Sequence, residues 1–338
     1  MKFFVGNYTH LGGPGIALCE LNGESMRIIE TAPEVKDPSY AILTRDQKTL
    51  YVTGESGGEA AAFDVSDGHL RFVSRQLTDG KASCHLTLSP DERFLYVANY
   101  TSGSLSVFPV DGAQIGKRIQ LIEHEGCGPN ADRQECAHVH FVAFDPEDEQ
   151  LLYAVDLGID AVMIYRQSPE TGLLTACERV DAEPGMGPRH LIFHGEKMMY
   201  AAHELGSAVS AYRRSSAGWK HIQTLSTLPE DWQGENTVAA IRIHGNRLFV
   251  SNRGHDSLAV YEISHTGILN PVGIYSTMGR NPRDFYILPD GRLLAAHQDS
   301  GDVRLLEFTE GFSRIMGLAQ TGNPLELAGA VCVCPMNE

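Results

Sequence analysis

The chain has 338 residues, more than one ordinary domain, and its 42% hydrophobic and 21% charged residues allow a sizeable core. A formal net charge of −16, with no run of lysines or arginines, works against nucleic acid and anionic membrane surfaces, and no stretch of about 18 apolar residues offers a membrane span. Seven scattered cysteines indicate neither a disulfide framework nor a zinc knuckle, and Met1–Tyr8 carries one cation and too short an apolar run for a signal peptide, so a reducing cytoplasm is expected.

In chain order, the first predicted strand centres on Phe4, too near the N-terminus to have a partner strand before it. From there one phrase recurs: an apolar strand, a short Asp/Gly turn, a second strand built on Leu-Tyr-Val, a polar loop and a third alternating strand. The clearest copy runs His85–Ser89, Pro90–Arg93, Phe94–Asn99, Tyr100–Gly103 and Ser104–Phe108. Equivalent second strands centre on Phe4, Tyr51, Tyr96, Tyr153, Tyr200, Phe249 and Leu294, spaced 45 to 57 residues apart. A period near ~45 residues without helical patterning is that of a four-stranded propeller blade. Seven centres therefore predict one all-β domain over residues 1–338, a seven-bladed β-propeller with four-stranded antiparallel blades. The longest interval holds an insertion, Glu125–His140, and long loops in compact domains are often functional. The last alternating run, Leu327–Cys334, has no second strand after it and supplies the strand that Phe4 lacks, so the N- and C-terminal strands share the closing blade.

In a meandering blade the first strand starts, and the second ends, at the same end of the propeller. That rule gathers Tyr40, His85, His138, His140, Arg189, His190 and Arg283 with Asn7, Tyr8, Glu55, Asn99, Tyr100, Asp156, His203, Glu204, Asn252, Arg253, His297 and Gln298 on one face. Asn7, Asn99 and Asn252 are read as structural ties between adjacent blades rather than as catalytic groups. Carboxylate, imidazole and guanidinium groups converging on a central mouth suit acid/base work on an anionic substrate.

The segments Gly128-Pro129-Asn130, Arg133-Gln134-Glu135, His138-Val139-His140, Gly187-Pro188-Arg189-His190 and Asn252-Arg253-Gly254-His255-Asp256-Ser257 resemble the seven-bladed propeller lactonases. That family includes the bacterial propeller-type 6-phosphogluconolactonases and the fungal carboxymuconate lactonizing enzymes. The resemblance covers essentially the whole chain. It implies a shallow pocket at the channel mouth in which His140, Arg189, Glu204 and Arg253 match site residues, with Arg133 and His138 next. The function expected is hydrolysis of a small anionic sugar lactone, 6-phosphogluconolactone first, by a monomer without cofactor or metal. His140 or Glu204 is the expected general base, Glu204 taken first with a raised pKa, and Arg189 the oxyanion partner. Arg253, Arg133, His138, His190 and Arg283 are expected to bind substrate, the arginines through bidentate hydrogen bonds. Glu204→Gln and Arg189→Met are expected to remove turnover with little change in melting temperature. The alternatives are a carboxymuconate-type cycloisomerase, a metal-dependent lactonase using Glu55, Asp156, Glu204 and Asn252, and a non-catalytic binding scaffold.

Overall fold

Period-two alternation broken by Gly, Asp and Asn turns gives an all-β chain in the computed structural model, which describes residues 1–310 and 315–336; the sole helical turn among them is a 3-10 turn at Thr9–Leu11. Seven antiparallel sheets form. One is made from both ends of the chain: Ala330–Pro335 pairs with Lys2–Asn7, followed by Ile16–Asn22 and Ser25–Ala32. The next six begin at Pro38–Leu43, Ser83–Leu88, Val139–Phe144, Pro188–His194, Thr237–His244 and Pro282–Ile287, and in each the strands follow one another in sequence order. The first strands touch their neighbours in an unbroken ring, Ala330–Pro335 lying between those that start at Pro38 and Pro282. The third blade departs from the four-strand expectation. Its outer edge is split into Gln114–Ile115 and Gln120–Glu123, both paired with Ser104–Asp111, because the chain turns at Gly112 and again where the Gly116 N–H donates to the Pro109 carbonyl.

Seven of the apolar clusters correspond one for one to the interfaces between neighbouring blades. The second strands, buried on both faces, feed two clusters at once: Phe4 packs toward the second blade while Phe3 and Val5 pack toward the seventh. Each such Val, Leu or Phe contributes about 1.5–3 kcal/mol of burial. The tyrosine of the recurring Leu-Tyr-Val phrase also has a polar task. Tyr96 Oη donates to the Gly172 carbonyl and Tyr200 Oη to the Gly267 carbonyl, each at 2.9 Å, and Tyr51 Oη reaches Gly112 in the same way. Each bond latches one blade to an outer hairpin of the next.

Candidate functional site

A shared irregularity sets the site. In every blade the pairing of first and second strands slips at the start of the first strand, between Pro38 and Ala41, Ser83 and His85, Val139 and Phe141, Pro188 and His190, Val238 and Ile241, Pro282 and Asp284, and Ala330 and Cys332. A bulge leaves an unpaired residue and re-aims its side chain. The unpaired residues include His140, Arg189 and Arg283, all sequence candidates. Opposite them, Asn7, Gly54, Asn99, His203 and Asn252 at the ends of second strands are buried, and the residues that follow them are Tyr8, Glu55, Tyr100, Glu204 and Arg253.

These positions bring Arg133, Arg189 and Arg253 onto one carboxylate. Glu204 Oε2 lies 2.9 Å from Arg189 Nε and 2.7 Å from Arg253 Nη2, while Oε1 lies 2.5 Å from Arg133 Nη2. Glu204 and Arg189 are only 4% and 3% exposed. Burial by itself would raise the Glu204 carboxyl, but Arg253, Arg189, His140 and Arg133 together hold it well below the usual carboxylate range. The expectation of a raised Glu204 pKa is therefore reversed: the group is a charged anchor, both of its oxygens already taken by arginines. Burial, reinforced by Arg253 and Arg283, pushes Arg189 down to about 9, and burial also lowers Arg253. Arg189 Nη1 donates to the Ala239 carbonyl at 2.9 Å and to His190 Nε2 at 3.0 Å, and Arg253 Nη2 donates to the Val238 carbonyl at 3.0 Å. The sequence gives no sign of these two carbonyl partners, which stand at the bulge of the strand Thr237–His244.

His140 is buried, and Arg189 helps burial keep its imidazole neutral well below the ordinary histidine range. Its Nδ1 and the Nε of Arg253 have no hydrogen-bond partner, which leaves unsatisfied polar atoms beside Glu204. His190 sits one residue past a bulge; its ring packs with Tyr40, His85 and Phe141 in an aromatic row, and it reaches the charged cluster through Arg189. Arg283 lies over the Tyr8 ring at 5.3 Å, and Tyr8 Oη donates to Glu55 Oε2 at 2.9 Å. No carboxylate among the described residues pairs with Arg283. Four guanidiniums thus share a neighbourhood with two carboxylates, Glu204 and Glu55. Beside Arg253 a cavity of about 270 Å³ opens, bordered by Asn236, Arg280 and Asn281.

The insertion is held from inside. Gln134, fully buried, donates to the Leu157 carbonyl at 2.9 Å and accepts from the Asn130 N–H at 3.2 Å, so the neighbouring Arg133 is delivered to Glu204 and Tyr100. His138 is turned away to other partners: it stacks on Tyr100 with centroids 4.5 Å apart, and its Nδ1–H donates to the Tyr100 carbonyl at 3.0 Å. Asn99 bonds serines of its own blade and Asn7 bonds Gly15 of its own, whereas Asn252 does tie two blades, bonding Ser257 in its own and Thr227 just after the outer strand of the preceding one. The oxygens named for a hard cation are engaged separately. Asp156 is taken by His124 and the His138 N–H, Asn252 by Thr227 and Asn236, and Glu55 by Tyr8. Among the described residues the one group of three metal-ligating side chains is Glu135, Cys136 and His138.

Comparison with known proteins identifies relatives of the whole chain. The family model described as "Lactonase, 7-bladed beta-propeller" matches residues 2–335. A 6-phosphogluconolactonase of Bacillus subtilis is 35% identical over 332 residues, 94% of each chain. The structure of a periplasmic gluconolactonase of Pseudomonas aeruginosa superposes with a TM-score of 0.90 at 30% identity, covering 98% of both chains. A Lactobacillus plantarum crystal structure also reaches a TM-score of 0.90, at 25% identity over 98% of each chain.

Proposed function

This chain belongs to the seven-bladed β-propeller lactonase family, and from that premise we propose that it hydrolyses an anionic sugar lactone, 6-phosphogluconolactone to 6-phosphogluconate, at the Glu204 cluster. The observation that carries the reading is the cluster's excess of cation: Arg133, Arg189, Arg253 and Arg283 against Glu204 and Glu55. An anionic substrate offsets that excess, and the acidic remainder of the protein makes the local contrast sharp.

His140 is assigned as general base. Its neutral imidazole takes a proton from water as the water oxygen attacks the lactone carbonyl carbon. The carbonyl oxygen becomes an oxyanion beside Arg189 and Arg253, where the Nε–H of Arg253, without a hydrogen-bond partner, is a donor already in place. Collapse breaks the ring C–O bond, and the imidazolium returns the proton to the leaving ring oxygen. Glu204 keeps the arginines placed and stabilises the imidazolium while it lasts. Arg283 and Arg133 bind the phosphate or its equivalent. His190 positions Arg189, and His138 positions Tyr100 and so Arg133. No step passes through a metal.

The test is hydrolysis of freshly generated 6-phosphoglucono-δ-lactone above its spontaneous rate, with and without EDTA, and with glucono-δ-lactone as the unphosphorylated control. EDTA-resistant acceleration of the phosphorylated lactone is expected. Acceleration of neither lactone, with turnover of a carboxymuconate instead, refutes the assignment.

A further inference from the structure

The insertion also holds a cluster of ligand-type side chains, of which lactone hydrolysis uses only His138, and that only to position Tyr100. Glu135, Cys136 and His138 bring a carboxylate oxygen, a thiol and an imidazole nitrogen together: His138 Nε2 is 3.3 Å from Glu135 Oε1, and Cys136 Sγ is 3.9 Å from each of them. A tetrahedral Zn²⁺, bonded at about 2.3 Å to sulfur and about 2.0–2.2 Å to nitrogen or oxygen, holds such atoms about 3.4–3.6 Å apart. The nitrogen–oxygen edge already fits, and the two sulfur edges need to close by about 0.3–0.4 Å, within the reach of a rotation of the exposed Cys136 side chain. We propose that these three residues form a Zn²⁺ site with an open fourth position for water.

An observation independent of that spacing points the same way. The ring of His138 is set as a ligand ring is set: Nδ1–H donates to the Tyr100 carbonyl, which fixes the tautomer and leaves the Nε2 lone pair facing Cys136 and Glu135. Its plane is fixed by stacking on Tyr100, interplanar angle 13°, and its backbone N–H is held at 2.7 Å by Asp156. The Cys136 backbone is fixed as well, because it packs so closely on Gly158 that a Cβ there would lie 1.9 Å from the Cys136 carbonyl oxygen. The His138 ring and the Cys136 backbone therefore stand on rigid supports before any ion arrives, and the Cys136 thiol and the Glu135 carboxylate are free to adjust. Thiolate, imidazole and carboxylate together suit borderline Zn²⁺ rather than Mg²⁺ or Ca²⁺. The ion would include none of the groups assigned to water activation or substrate binding. It would pin the segment that delivers Arg133, since His138 packs on the same Tyr100 that accepts from Arg133 Nη2 at 3.3 Å.

Titration of the metal-free protein with Co²⁺, a spectroscopic stand-in for Zn²⁺, tests the site without reference to activity. The expected result is a thiolate-to-Co²⁺ charge-transfer band that saturates at one ion per chain, is bleached by Zn²⁺, persists in Cys127→Ser and is lost in Cys136→Ser. Glu135→Gln and His138→Gln should keep the band but weaken binding. Absence of the band from the wild-type protein overturns the proposal. So does a band that survives Cys136→Ser or disappears with Cys127→Ser, the other exposed thiol of the insertion. Lactone hydrolysis can fail its own assay without touching any of these outcomes.

Discussion

Replacing Glu204 by glutamine keeps the shape and removes the charge that three guanidiniums share. In water that would matter little, but Glu204 and Arg189 are almost fully buried and the Arg253 side chain is 10% exposed. Taking one partner from a buried ion pair leaves uncompensated charge and costs about 3–5 kcal/mol. With an unfolding entropy of about 2.1 cal/mol/K per residue over 338 residues, that loss lowers the melting temperature by about 4–7 °C. This replaces the expectation from sequence that the substitution leaves melting unchanged. The pH dependence follows from the lowered Glu204 carboxyl: its stabilisation is complete above the ordinary value of 4.5 and disappears as the pH falls through the lower folded-state value. The gap between wild type and Glu204→Gln, measured by calorimetry from pH 8 downward, should thus be constant to about pH 4.5 and close below it. Phosphate should recover part of the loss in the variant by occupying the uncovered cations. A variant melting within about 1 °C of wild type at pH 7 would refute the argument that Glu204 is a buried counter-ion.

Two further outcomes follow from the same geometry. His140→Gln should lower kcat/KM about 10²- to 10⁴-fold, while the wild-type profile stays flat through pH 6.5 because burial keeps His140 neutral there; an inflection at or above 6.5 that vanishes in the variant would show that the imidazole titrates normally. Tyr96→Phe removes the latch to the Gly172 carbonyl at a cost of about 1 kcal/mol, a melting shift of about 1–2 °C with kcat/KM unchanged, and altered kinetics would mean that the latch reaches the site.

Much of this protein is legible along the chain because propeller blades are local. A repeat near ~45 residues, a turn at a fixed offset and period-two alternation recur without knowledge of what lies opposite. They were enough to number the blades, to pair the last strand with the first and to choose the face on which Glu204, Arg253, His140, Arg189 and Arg283 emerge. Direction and charge state were decided elsewhere. A one-residue bulge reverses the alternation after it, so no count along the chain tells that Arg189 turns toward Glu204 while His190, beside it, joins an aromatic row. Glu204 reads as an ordinary carboxylate until Arg133, 71 positions away, and Arg253 close on it from other blades and hold its pKa down. Sequence determined the scaffold through short-range pattern. Tertiary structure alone decided the electrostatics, because Coulomb and desolvation energies depend on distances between blades that no local pattern encodes.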